Sequence, residues 1–249
     1  MFTHFFKLIS IVCALSFAHG ANAASWCKMD GDIKVSIIPS ESPIKHDYSK
    51  SFLELSKIGV SSANPYGPKA ITHTFGVANG QFKITHKVRL QMLTNPNTKQ
   101  TCMWYDSIDV NIDMSPVIMV AKEYRKGGCH FQQVYAHELE HIQVDRQVVN
   151  EYAKILGQKL LTQVNRRPLI GPFRTSLSTS KQKQMQDRLN TIVRRNNDEM
   201  MRERTKRQAL VDSKENYDKV SDMLHSVCDK KSPLTADKVN ELIRMNLNR

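Results

Sequence analysis

The stretch Val134-Tyr135-Ala136-His137-Glu138-Leu139-Glu140-His141-Ile142 lies in a run that reads as helix from about Phe131 onward. Val134, Leu139, Ile142 and Val149 give that helix an apolar stripe, as expected of a helix laid on a core. Residues four apart sit one above the other on the same helix face, so the imidazoles of His137 and His141 converge on one point. Glu138 lies beside them. Two neutral imidazoles at this spacing suit Zn²⁺ at roughly 2.0 to 2.1 Å, and the neighbouring carboxylate is placed to take a proton from an attacking water. The plain alternative is a surface helix with two incidental histidines, but most chance copies of the pattern fall outside a helix.

Upstream of this helix the periodicity is near two. Ile33, Val35 and Ile37 alternate with polar residues before Pro39, and strands are expected over 71–77 and 82–93, flanking an Asn79-Gly80 hairpin turn. Residues 40–68 are rich in Ser, Pro and Lys, with one short helix over 48–58. Two more strands follow, over 101–112 and 117–121, and Arg125-Lys126-Gly127-Gly128 turns the chain into the helix. Downstream the chain reads as helical. The first helix runs to about Leu161, and 165–176 breaks it with Pro168, Gly171 and Pro172. A second long helix spans 180–227, with Leu189, Ile192, Val193, Met200, Leu210, Tyr217 and Leu224 on its inner face. A short helix over 236–245, capped by Thr235, closes the chain. The expected class is α+β: a mostly antiparallel N-terminal sheet, then the His137 helix and a long antiparallel helical hairpin.

Residues 1–23 read as a secretory signal peptide. Lys7 is the positive n-region, 8–17 the short apolar region, and Ala21-Asn22-Ala23 the small-x-small cleavage site, with cleavage after Ala23. The apolar run is too short to span a bilayer and no later run is long enough. Cys13 follows Val12, which argues against a lipoprotein. Cleavage removes Lys7 and no acid, so the chain's +12 becomes +11. The mature part, 24–249, suits one domain with a strand-rich section (24–128) and a helical section (129–249). It holds Cys27, Cys102, Cys129 and Cys228, an even number outside the cytosol, which implies two disulfides. Three pairings are open. Cys129 with Cys228 is favoured because a bridge there fixes the entry to the His137 helix.

The third metal ligand is sought by geometry. Asp145 and Glu151 lie about 6 and 15 Å further along a straight helix than His141, so neither reaches the metal easily. Asp145 reads instead as a supporting acid. If the two long helices form a hairpin whose facing ends are about Leu161 and Thr179, Leu139 lies opposite Met201, and Glu203, then Glu199, become the candidates. The alternative is that both acids pair with Arg202, Arg204 or Arg207 in solvent.

His137-Glu138-x-x-His141 resembles the signature of the zincin metallopeptidases. That likeness implies His137 and His141 as zinc ligands and Glu138 as general base. It also implies an edge strand that holds the substrate backbone by strand addition, for which 117–121 is the candidate, with an ordinary interior strand as the alternative. Thermolysin-like enzymes also carry an Asp four residues after the second His, as Asp145 is here, but Asn150-Glu151 comes too early to be their Asn-Glu ligand pair. The layout is further similar to a small family of secreted bacterial zinc-dependent proteases, known mainly as a domain of unknown function. Tyr217-Asp218 matches the beginning of that family's late signature, while Met223 stands where the family has a His.

Arg166-Arg167, Arg194-Arg195 and the run from Arg202 to Arg207 make the second helix strongly basic, which favours anionic envelope polymers or acidic peptides as partners, or else marks a solvated helix face. Nucleic acid is poorly supported outside the cytosol. The expectation is a periplasmic or secreted zinc hydrolase acting on peptides or proteins. The alternatives are a non-catalytic envelope binding protein with a structural or vestigial metal site, and an amidase of peptidoglycan.

Overall fold

A single 21-residue strand runs through the centre of the molecule. It is β4 (Gln100–Val120) in a computed structural model that describes residues 26–58 and 74–228. The segment read as a signal peptide and the helix expected over 236–245 lie outside those residues. Before β4 come β1 (Lys34–Glu41), β2 (Lys45–Asp47), a one-turn helix α1 (Phe52–Leu55) and β3 (Gly76–Asn95). After it come α2 (Cys129–Arg166), β5 (Leu169–Arg174), α3 (Ser178–Val211) and α4 (Lys214–Met223), then a last turn, Leu224–Cys228.

The class is α+β, but the sheet is not mostly antiparallel. β1 and β2 lie end to end along one side of β4, parallel to it, whereas β3 and β5 pair with it antiparallel. The reason is that β4 inserts between β3 and the earlier pair β1 and β2. Period-two patterning marks strands but not which of them are neighbours. The candidate edge strand 117–121 is therefore interior, because Val117–Met119 pairs with β2 on one side and with Val77–Asn79 of β3 on the other. Pro116 is tolerated because it falls between the stretch of β4 paired with β1, which ends at Met114, and the stretch paired with β2.

Asn79-Gly80 makes no turn. Both residues sit in the β3–β4 ladder opposite Val117 and Pro116. The hairpin turns after Asn95, whose side chain accepts from the backbone of Asn97 and Thr98. Gly80 is needed for another reason: a Cβ there would lie 2.9 Å from a carboxylate oxygen of Asp145 on α2.

A bulge near Asp106 shifts the register between Arg89 and Leu90. It returns Met103 and Tyr105 to the face that also carries Ile108, Val110 and Ile112. That face packs on Val148, Leu156 and Leu160 of α2 and on Leu189 and Val193 of α3. Near Val77 and Met119 the opposite face is covered by Phe52 and Leu55 of α1.

The helical hairpin forms, with two differences. The break between its arms contains β5, which pairs with the start of β4. The second arm is not continuous: α3 ends at Val211, and Ser213 caps α4 by accepting from the backbone of Asn216. Leu210, expected inside, is 69% exposed, because the buried stripe of α3 continues through Met200, Arg204, Gln208 and Val211 instead. Both disulfides are present, Cys27–Cys102 and the favoured Cys129–Cys228. They are consistent with a location outside the cytosol. No helix among the described residues is long and apolar enough to cross a membrane.

Candidate metal centre

Three side chains converge where α2 passes the joint between α3 and α4. His137 and His141, one turn apart on α2, bring their Nε2 atoms to 3.3 Å from each other. Asp212, at the joint, places Oδ1 3.4 Å from His137 Nε2 and 3.1 Å from His141 Nε2. Ligands held about 2.0 to 2.1 Å from a tetrahedral ion stand about 3.3 Å apart, so the triangle has the right size to hold a metal ion. All three groups are nearly closed off from solvent.

The site continues as a ladder between two antiparallel helices. His137, His141 and Asp145 are spaced by four on α2, and Asp212, Gln208 and Arg204 by four on the facing strip of α3 and its end. The Gln208 amide nitrogen donates to the His141 carbonyl at 3.0 Å and to Asp145 Oδ1 at 2.6 Å. Its oxygen is thereby left to accept from His141 Nδ1. With Nδ1 protonated, His141 turns Nε2 to the metal position. Arg204 then holds Asp145, Nε to Oδ1 at 2.7 Å and Nη2 to Oδ2 at 3.1 Å, with its guanidinium over the Phe82 ring. Asp145 is only 1% exposed, and this two-point pairing satisfies and fixes its buried carboxylate.

Glu138 lies against the sheet rather than in solvent. Gly76 of β3 makes room for it, since a Cβ there would lie 2.5 Å from Glu138 Oε1 and 2.6 Å from Val134 Cγ1. The Ala78 N–H donates to its carboxylate. Burial pushes the Glu138 carboxyl up to about 7, against the charges of His141 and His137. Burial also disfavours the charged His141 imidazole, but the bond to Asp212 and its charge, the charge of Glu138 and the bond to the Gln208 oxygen outweigh it and raise His141 to about 9. Tyr217, in the first half of α4, sets its ring edge-on to His137 with centroids 5.8 Å apart.

The structure brings His137, Glu138 and His141 together and sets the two glutamate candidates apart. Glu203 bonds Arg207 Nε at 2.9 Å, and Glu199 pairs with Lys159 on α2. Glu151 is likewise held by Arg207. The error was in the hairpin register. α2 runs five residues beyond Leu161, and β5 lets α3 overshoot its end, so His141 faces Gln208 rather than a residue near 199. Asp212 was missed. Its signal was the four-residue spacing Arg204, Gln208, Asp212, a polar continuation of the buried stripe that mirrors His137, His141, Asp145.

No protein-family model, no curated protein and no solved structure matches the chain.

Proposed function

We propose that this protein is a zinc-dependent hydrolase of peptide bonds, working outside the cytosol. The observation that carries the reading is the His137–His141–Asp212 triangle with a buried carboxylate, Glu138, next in sequence to one ligand. Two imidazoles and one carboxylate form a donor set suited to zinc, and three protein ligands leave a fourth position open, as hydrolytic sites require. When bound, the metal supplies Lewis acidity to water and to a scissile carbonyl.

The chain's own groups do the rest. Glu138, poised near 7, is matched to accept a proton from the attacking water and to return it to the departing amine. Gln208 keeps His141 in the ligating tautomer, and Arg204 with Asp145 keeps Gln208 in place. Strand addition has a candidate different from the one first expected. Phe75 is hydrogen-bonded to Ala121 across the ladder, so Gly76, Ala78 and Gly80 direct their N–H and C=O groups away from β4, and that side of β3 pairs with no strand among the described residues. The Ala78 N–H on that side is taken by Glu138, so an extended peptide laid along it would bond to the other outward groups and run beside Glu138.

The test is turnover of an unfolded protein substrate such as casein, with isolated sacculi assayed in parallel for the amidase alternative. Glu138→Gln is expected to abolish turnover while one metal per chain remains bound; activity in that variant would remove the proposed mechanism. Undiminished binding to anionic polymers after chelation, with no hydrolysis of either substrate, would instead select the envelope binding protein.

A further inference from the structure

The molecule is electrically lopsided along its length. Residues 159–197 hold nine Lys and Arg against a single Asp, a net +8 within a chain whose total is +12. These residues form the end of the helical hairpin, β5 and the first half of α3, the end of the molecule remote from the metal centre. Arg166 at the end of α2 lies 25 residues beyond His141, about 37 Å along the helix axis. Arg166, Arg167, Arg174, Arg194 and Arg195 are exposed, and none makes an ion pair within the described part of the chain. Between α2 and α3, Lys159, Arg188 and Arg195 line a groove of about 520 Å³ with one acid, Glu199.

The same end also carries apolar side chains that the fold does not cover. Among the described residues seven large hydrophobic side chains are exposed, and four of them are here. Leu177, 45% exposed, sits in the turn between β5 and α3. Leu161 is on the last turns of α2. Met92 and Leu93 are on β3 beside its hairpin turn, which is tied to this end by the bond from the Thr175 N–H to the Lys99 carbonyl. Cations alone suit any polyanion. Cations around exposed leucine and methionine suit a charged surface with an apolar phase beneath it, because only there do the apolar side chains gain from contact.

We infer that this basic end docks the protein on a membrane surface bearing anionic phospholipid headgroups, with Leu177 and its apolar neighbours entering the headgroup boundary. The metal centre then stands about 37 Å away from the docked end along α2.

The experiment is co-sedimentation of the mature, disulfide-bonded protein with vesicles of phosphatidylcholine alone and of phosphatidylcholine with about a third phosphatidylglycerol. Binding is expected only to the second, weakening as salt is raised. The triple change Arg166→Ser, Arg167→Ser, Arg195→Ser is expected to lower partitioning about 100-fold, roughly fivefold per charge, and Leu177→Ser alone about fivefold. The corresponding triple Arg→Lys variant keeps the charge and is expected to bind, which separates lost charge from lost fold. Removing three cations near the other end, by Lys45→Ser, Lys57→Ser and Lys122→Ser, should leave partitioning almost unchanged. No binding to the anionic vesicles would overturn the inference, as would an equal loss in the Lys45, Lys57, Lys122 control. So would tight binding of soluble polyphosphate together with vesicle binding insensitive to Leu177→Ser, an outcome that assigns the end to a dissolved polyanion.

Discussion

Asp212 is held by the backbone as much as by its neighbours. It ends α3, its N–H still bonding back to Gln208, and its Oδ1 lies within 3.4 Å of one imidazole and 3.1 Å of the other. Asp212→Ala is expected to weaken metal binding by more than the roughly 10- to 100-fold that loss of a supporting residue causes, while Glu203→Ala changes it little; metal content after dialysis against a weak chelator reads both. Gln208→Ala, which removes the partner of His141 Nδ1, should fall inside that range. Proton competition has a definite sign. With His141 raised to about 9 in the metal-free protein, an incoming ion displaces a proton at any lower pH, so apparent affinity rises from pH 6.5 to 8.5 by up to about tenfold per unit. Calorimetry in buffers of different ionisation enthalpy should show proton release on binding; an affinity that falls as pH rises would contradict the assignment of His141 as a ligand. At this scale His137, Glu138 and His141 were legible because their relation lies within one helix turn. Asp212 was not, since its relation to them depends on the register of two long helices.

Between elements, the close approach of α2 to β3 positions Glu138. Gly76 and Gly80 supply it, leaving Val134, Glu138 and Asp145 to occupy the space that two Cβ atoms would fill. Gly76→Ala is expected to destabilise by about 1–3 kcal/mol, because the branched Val134 cannot swing aside as a terminal carboxylate can, and to lower activity through displacement of Glu138; chemical denaturation and kcat together test it. Replacing Arg204 by Met keeps much of the bulk but strands a buried carboxylate on Asp145. The expected loss is about 3–5 kcal/mol, and the double change with Asp145→Leu should recover part of it. An Arg204→Met variant as stable as the parent would show that the pair contributes nothing. Asn79-Gly80 has the composition of a turn, but Gly80 serves the close approach of β3 to Asp145 on α2.

For the whole molecule, the Cys129–Cys228 bridge spans 99 residues and closes the helical half around the metal centre, joining the first residue of α2 to the turn after α4. α4 itself buries no side chain. Cys129→Ser with Cys228→Ser should cost about 2–5 kcal/mol and weaken metal retention, seen as a lower melting temperature and earlier metal loss on heating. Local sequence determined β1 and the strand periodicity of β3 and β4, a short helix near Phe52, the helix bearing His137 and His141, and the even cysteine count, because each depends on neighbours within a few residues or on composition alone. Tertiary structure decided that β4 inserts between β1 and β3, that Cys27 pairs with Cys102, and that Asp212 completes the metal triangle. Those choices depend on contacts between residues far apart in the chain, and a shift of about nine residues in the hairpin register was enough to put the wrong carboxylate opposite His141. Such a register is set by how whole apolar faces interlock, which no short stretch of sequence contains.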